Sequence, residues 1–208
     1  MKNIILIGLI AISICGYGQT KGRKNNISVG GGKESYNGDL GNSWFNLKEE
    51  WYGFFYLGYN RYLNKSFDIA LSITYGDYGH CREEDDVPIR PDGSQVLNMY
   101  SRLTTGNLAF RYKFANGYLL KENAKLSPSI YIGSSINNLT DIWTHYRVNS
   151  GNYISINGGF GLRYNFTEKI NFNYNLGIGY FTTDKIDNRS QGINDMYMQN
   201  SFALGFNF

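Results

Sequence analysis

The chain has 208 residues, a formal net charge of +3, 25 Gly, 18 Tyr, 13 Phe and only 3 Pro. So mild a charge gives no basis for nucleic-acid binding, and the lack of a long apolar run beyond the N-terminus excludes a helical membrane protein. A mean hydropathy of −0.38 beside an aromatic share of 16% leaves a β-barrel open, because barrel strands hide their apolar residues by alternation.

Residues 1–18 read as a secretory signal peptide. Lys2 precedes an apolar run from Ile4 to Ile14, and Gly16-Tyr17-Gly18 supplies a small-x-small cleavage pattern. The run is too short to span a membrane, which takes about 20 apolar residues. The competing readings are a buried N-terminal element and a lipoprotein anchored at Cys15; the bulky Ile14 before that cysteine speaks against the second. Residues 19–208 are then one domain. Loss of Lys2 lowers the 20 basic residues to 19 against 17 acidic, a charge of +2. Cys81 remains alone, so no internal disulfide is expected; it reads as an idle loop cysteine, with a reactive thiol as the alternative.

From there the period is two. Ile27–Glu34 is a short Gly-rich strand in which Gly30-Gly31-Gly32 permits close packing or a bend. Trp51–Tyr62 is aromatic on both faces, so its phase is open. In Phe67–Tyr75 the residues Phe67, Ile69, Leu71, Ile73 and Tyr75 alternate with Asp68, Ala70, Ser72 and Thr74. Tyr100–Phe114 sets Leu108, Phe110, Tyr112 and Phe114 against Asn107, Ala109, Arg111 and Lys113. Leu126–Ile136 carries Pro128 near one end, where a strand tolerates it. Tyr153–Phe166 alternates likewise, and in "INFNYNLGIGYF" Ile170, Phe172, Tyr174, Leu176, Ile178 and Tyr180 oppose Asn171, Asn173, Asn175, Gly177 and Gly179. Only a strand sorts residues this way. The last strand, Gln199–Phe208, ends on a bare aromatic. Long connections at about 35–50, 79–98, 137–152 and 183–194 alternate with tight ones near Asn64 and at 167–169 and an intermediate one at 115–125.

The polar face decides which way the strands point. It carries Asn, Ser, Gly and Ala with isolated charges (Glu34, Arg111, Lys113, Arg163), not the Lys and Glu of a soluble exterior. Such residues suit a narrow lumen, where isolated charges of both signs can pair. Arg61 lies near a tight turn, where its long side chain reaches the headgroups. Aromatics mark both interfaces: Tyr62, Phe114, Tyr164, Phe166, Phe172, Phe206 and Phe208 toward the short turns, and Trp51, Tyr75, Tyr100, Trp143, Tyr153 and Tyr180 toward the long loops. The fold class expected is all-β, an eight-stranded antiparallel up-and-down transmembrane β-barrel. Closure satisfies every backbone polar group in a medium without water.

With its alternation, its topology and its ending "FALGFNF", residues 19–208 resemble the small eight-stranded outer-membrane barrels of the OmpA transmembrane-domain and OmpX kind. The resemblance implies an integral protein of the Gram-negative outer membrane, in contact with its lipid and lipopolysaccharide, with extracellular loops. It further implies that Leu204, Phe206 and Phe208 are read by the barrel-assembly machinery. No peptidoglycan-binding domain is expected after Phe208, unlike full-length OmpA, so wall anchoring is not carried over.

Chemistry is sparse. His80 and His145 fall in long loops, and neither stands in the His-x-Ser pattern of the deacylases on this scaffold. His80 next to Cys81 is a weak pair, because neighbours on an extended chain point opposite ways. The acidic run Glu83, Glu84, Asp85 and Asp86, and the later Asp184, Asp187 and Asp195, read as solvated loop residues without the ordered spacing of a calcium site. Gly30-Gly31-Gly32 precedes no helix and cradles no phosphate. Eight strands leave a lumen just wide enough for its own side chains, and Tyr131, Arg111 and Arg163 are expected to plug it. No catalytic residue, cofactor or metal is assigned. The role expected is structural, adhesive or partner-binding, through loops that meet a surface protein or glycan; the alternatives are a lipid A-modifying enzyme and a narrow channel.

Overall fold

The computed structural model of the chain describes residues 24–38, 41–42, 52–81, 98–122, 124–142, 149–183, 186 and 195–208; the expected signal peptide lies outside them. The strands are β1 (Asn25–Gly38), β2 (Gly41–Asn42), β3 (Tyr52–Tyr62), β4 (Phe67–Cys81), β5 (Asn98–Lys113), β6 (Leu126–Asp141), β7 (Gly151–Asn165), β8 (Ile170–Phe181) and β9 (Met196–Asn207). β2 is a two-residue extension that pairs with the end of β1. The other eight strands pair with their sequence neighbours, all antiparallel, and β1 also pairs with β9. The result is a closed eight-stranded barrel.

Alternation places the side chains as expected. In β4, Leu71, Ile73 and Tyr75 are exposed while Asp68, Ala70 and Thr74 are buried. The same holds in β8, where Asn171, Asn173 and Asn175 are buried. β3, whose phase the sequence leaves open, turns Phe54, Tyr56, Asn60 and Tyr62 inward and Phe55, Leu57 and Arg61 outward. Arg61 donates from Nη1 to Asn25 Oδ1 at 3.1 Å on the exposed rim. The tight turns are fixed by short polar side chains. Asn64 Oδ1 accepts from the amides of Ser66 and Phe67, both at 2.9 Å, and Thr167 Oγ1 accepts from the Ile170 amide at 2.9 Å.

Closure joins the two ends of the chain. β1 and β9 pair from Asn26 with Asn207 to Asn37 with Met196. Beyond that register the Asn25 amide donates to the Phe208 carbonyl, and the Phe208 amide returns a bond to the Asn25 carbonyl, each 2.9 Å. Phe202, Leu204, Phe206 and Phe208 all face outward. The seam also explains the glycine run. A Cβ on Gly30 would stand 1.9 Å from the Phe202 carbonyl oxygen, and one on Gly32 1.9 Å from that of Asn200.

Three expectations are corrected. The strands run further toward the long-loop end than the sequence suggests: β1 continues to Gly38, β4 to Cys81 and β6 to Asp141, and β7 begins at Gly151. His80 and Cys81 therefore belong to β4, paired with Met99 and Asn98, and not to a loop. Tyr62 and Tyr153, expected in the interfacial girdles, are lumen residues: Tyr62 is buried and Tyr153 packs against the internal apolar cluster. Trp51 and Trp143 lie outside the described residues.

Replacing Gly32 by Val should block closure of the β1–β9 seam, because the obstruction is backbone and not a movable side chain. Unboiled samples refolded in detergent should run at the unfolded electrophoretic position, whereas Gly106→Ala, whose Cβ would meet nothing nearer than 4.0 Å, should keep the compact folded band.

Candidate functional site

The first place to look for function in a barrel is its lumen, and among the described residues this one is packed with side chains. At the short-turn mouth, Asn26 Nδ2 and Asn171 Nδ2 both donate to Asn207 Oδ1, at 2.9 and 3.1 Å. Asn173 Nδ2 donates to Asn171 Oδ1 at 2.7 Å, and Arg163 Nε to Asn173 Oδ1 at 2.9 Å. One level on, Arg111 Nη2 reaches Asn175 Oδ1 at 2.9 Å and its guanidinium lies over the Tyr131 ring, 5.6 Å from the centroid. The alternating asparagines of β8 thus supply carbonyl oxygens to two arginines and pass their amide hydrogens on. Nearer the loops, Thr105 Oγ1 donates to Asn137 Oδ1 and Asn137 Nδ2 to Ser155 Oγ, both at 2.9 Å.

The pairing of lumen charges that the sequence allows is seen between Lys113 and Asp68. Lys113 Nζ meets Asp68 Oδ1 at 2.6 Å, with both side chains almost wholly buried. The ammonium also sits 4.2 Å from the centroid of the Tyr62 ring. Arg111 and Arg163 are held by amides, and Glu34 Oε2 accepts from Gln199 Nε2 at 2.7 Å. The space left between Tyr56, Arg111, Tyr131 and Asn175 is about 50 Å³, room for a water or two. The expectation that Tyr131, Arg111 and Arg163 obstruct the interior agrees with this geometry.

At the loop end the interior changes character. Tyr36, Tyr78, Leu103, Leu139, Phe181, Ile186 and Tyr197 form one buried apolar cluster. The rings meet edge to face, Tyr36 with Tyr78 at 5.7 Å and Tyr78 with Phe181 at 6.4 Å, a favoured arrangement of ring quadrupoles. Asp195 corrects another expectation. It is not a solvated loop residue but fully buried: Oδ1 accepts from the Tyr36 hydroxyl at 2.7 Å and Oδ2 from the Ile186 amide at 3.2 Å. That carboxylate ties the loop residue Ile186 into the cap.

On the outside of the same level, Arg102 donates to Asp77 Oδ1 from Nε (3.2 Å) and Nη2 (2.9 Å), and from Nη1 to the Tyr75 hydroxyl at 2.9 Å. This outward charge pair, directly above the girdle residue Tyr75, marks where the lipid-facing band ends. The sequence reading missed the cap. Its one signal is a change of phase: after Tyr75, Ile136 and Tyr180, each outward, the next bulky residues, Tyr78, Leu139 and Phe181, fall on inward positions.

Of the residues singled out from sequence, Leu204, Phe206 and Phe208 stand on the outer face of the closing strand. His145, the acidic run Glu83–Asp86, Asp184 and Asp187 lie outside the described residues. Among the described residues no group of three His, Cys, Asp or Glu side chains is placed to hold a metal.

No protein-family model matches the chain, and no curated protein matches it either. Solved structures do. The Neisserial surface protein A is similar over 88% of this chain and 97% of its own, with a TM-score of 0.59 at 12% identity. Ail, the attachment invasion locus protein of Yersinia pestis, gives 0.53 at 12% identity over 89% and 99%, and the outer membrane protein OprG of Pseudomonas aeruginosa 0.53 at 10% over 89% and 97%. The fold is that of the small eight-stranded outer-membrane barrels. At such identities the likeness concerns the path of the chain, so what this barrel does must be argued from its own residues.

Cutting the buried ion pair should reveal its role in that packing. Lys113→Met leaves Asp68 uncompensated and should lower unfolding stability in urea by about 3–5 kcal/mol. Adding Asp68→Asn in the same chain should recover most of the loss.

Proposed function

We propose that this protein is an integral outer-membrane barrel that binds a surface ligand, a protein or a glycan, through its loop-side end. The observation that supports the reading is the packed lumen: among the described residues an amide network below and an aromatic cap above occupy the interior. Function is then left to the two surfaces the fold exposes, the lipid face and the loops. In this reading residues 1–18 are the cleaved signal peptide, the long loops are extracellular, and the protein is not an enzyme. Loops carried on a rigid scaffold are the usual place for recognition. Ail has been solved in complex with sucrose octasulfate, a heparin analogue, which supports a glycan as one ligand class for a barrel of this shape.

The outer face of β9 suits recognition during assembly. Leu204, Phe206 and Phe208 form an outward apolar row on the strand whose pairing with β1 closes the barrel. We assign that row as the signal for the barrel-assembly machinery. The surrounding partners are the lipid and lipopolysaccharide of the outer membrane.

Three measurements test the reading. Purified protein in planar bilayers should show no discrete conductance steps; steady single-channel currents would establish a channel instead. Shortening residues 82–97 and 187–194 to brief Gly-Ser linkers should leave the folded electrophoretic band unchanged while abolishing binding of expressing cells to arrays of glycans and matrix proteins. Should the shortened variants bind as the parent does, the loops are not the binding surface. Deleting Phe208 should cut the amount of folded protein in outer-membrane fractions several-fold.

A further inference from the structure

The lipid face is not evenly filled. Register aligns one outward row across five strands as Leu57, Ile73, Gly106, Ile136 and Ile154. The next row toward the short turns holds Leu71, Leu108, Ser134 and Ile156 in the same way. Gly106 and Ser134 are therefore two gaps on adjacent strands, set diagonally among branched side chains. The gap is a groove of about 580 Å³, walled by Leu57, Ile73, Leu108 and Ile136 and floored by Gly106 and Ser134. Its rims stand high: Ile73 and Ile136 are 54% and 66% exposed.

Directly above it the outward residues turn polar. Thr104 pairs with Tyr75 on one side and Asn138 on the other. One row further, Arg102 lies between Asp77 and Thr140. Arg102 commits three N–H groups to Asp77 and Tyr75, and a guanidinium has five. Asn138 donates one amide hydrogen to Asn152 Oδ1 at 2.9 Å. Two guanidinium N–H groups, a second Asn138 N–H and the Thr104 hydroxyl remain as donors over the groove, among the described residues.

We propose that this groove is a lipid-binding site that seats an acyl chain of lipid A over Gly106 and Ser134, with a lipid A phosphate at Arg102, Thr104 and Asn138. In hydrocarbon an empty groove forfeits dispersion contacts along its whole lining, and water gains nothing there. The groove is continuous with the lipid-facing band, so its natural occupant is a lipid of the leaflet at that level. The donors above it lie at headgroup depth, beside the girdle residue Tyr75, and guanidinium groups favour phosphate oxygens. A second copy of the barrel could lay an apolar ridge in the groove, and it is the rival occupant that the test below separates. The choice of lipid A over a phospholipid rests on the extracellular orientation of the loops proposed above.

The test is native mass spectrometry of the full-length protein released from mild detergent after loading with lipid A or, separately, with phosphatidylglycerol. The parent should retain lipid A in at least fivefold preference. Gly106→Leu should lose about fivefold or more of the bound fraction while keeping the folded electrophoretic band, because the position has room for a side chain. Arg102→Gln should lose lipid A with the barrel equally folded. Unchanged retention by Gly106→Leu overturns the site. Equal retention of phosphatidylglycerol overturns the choice of lipid. A parent dimer that Gly106→Leu converts to monomer assigns the groove to a second copy. In parallel, Thr140→Cys in a Cys81→Ser background should react with a membrane-impermeant maleimide on intact cells. No reaction there refutes the loop orientation, and lipid A with it, separately from any effect of Gly106→Leu on the groove.

Discussion

Everything in this molecule follows from one constraint: in hydrocarbon a backbone N–H or C=O without a partner costs several kcal/mol, so the sheet must have no edge. The seam between β1 and β9 meets that demand with the two ends of the chain, and its chemistry is correspondingly strict. Gly30 and Gly32 pass the carbonyls of Phe202 and Asn200 at distances that no side chain permits. The backbone bonds between Asn25 and Phe208 close the last gap at the short-turn rim. A soluble sandwich of the same strands could leave an edge to water; this barrel cannot. The ordinary-looking features at the two ends, a glycine run and a short aromatic repeat, are thus two halves of one device.

Closure settles the hydrogen bonds but not which face of each strand looks outward. The medium settles that, and the medium changes along the strand. A spanning strand needs about 9–11 residues, whereas β4, β5 and β6 have 15, 16 and 16. Within the membrane zone the bulky residues face out and the polar ones in. Beyond Tyr75 the surroundings are headgroups and water, and the order inverts: Asp77, Arg102, Asn138 and Thr140 are outside, while Tyr78, Leu103 and Leu139 are inside. The loop-side end is therefore built like a soluble barrel, with an apolar core that holds Ile186 through Asp195. Its apolar residues are buried against one another and not against lipid.

This inversion explains what could and could not be read from the residues. The membrane zone was legible because one rule, alternation against lipid, governs every strand there; "INFNYNLGIGYF" places its asparagines inside without further information. The cap was not legible because the period of two continues unbroken through the change of phase. Tyr78 stands just before the expected loop from Gly79 and reads as the approach to it, so β4 is expected to end early, whereas Phe181 closes the expected strand without its face being fixed. Tyr153, which reads as a girdle residue, packs against the inner cluster for the same reason. Tyr62 failed differently: a lumen tyrosine next to a rim looks like a girdle residue until Lys113 is seen against its ring. Asp195 was misread because burial of a carboxylate depends on partners 159 residues away in Tyr36, which spacing cannot show. The groove on the lipid face is also a product of register, since Gly106 and Ser134 acquire meaning only as neighbours across β5 and β6.

The interior also shows why amides, more than ion pairs, fill a narrow lumen. An ion pair removed from water must recover a desolvation penalty of several kcal/mol per ion, and it recovers it only with good geometry, as Lys113 and Asp68 have at 2.6 Å. An asparagine carries two donors and an acceptor with no net charge. It can accept from an arginine on one side and donate to a hydroxyl or another amide on the other. Asn173 does this between Arg163 and Asn171, and Asn175 between Arg111 and Ser201. Guanidinium groups held this way are anchored along the lumen without a matching row of carboxylates. The barrel thereby gains a rigid, packed interior whose bonds join β1, β5, β7, β8 and β9 across the lumen. A wall braced from within in this manner holds its shape through bonds among its own strands, so the packing of the lumen rests on the barrel residues themselves.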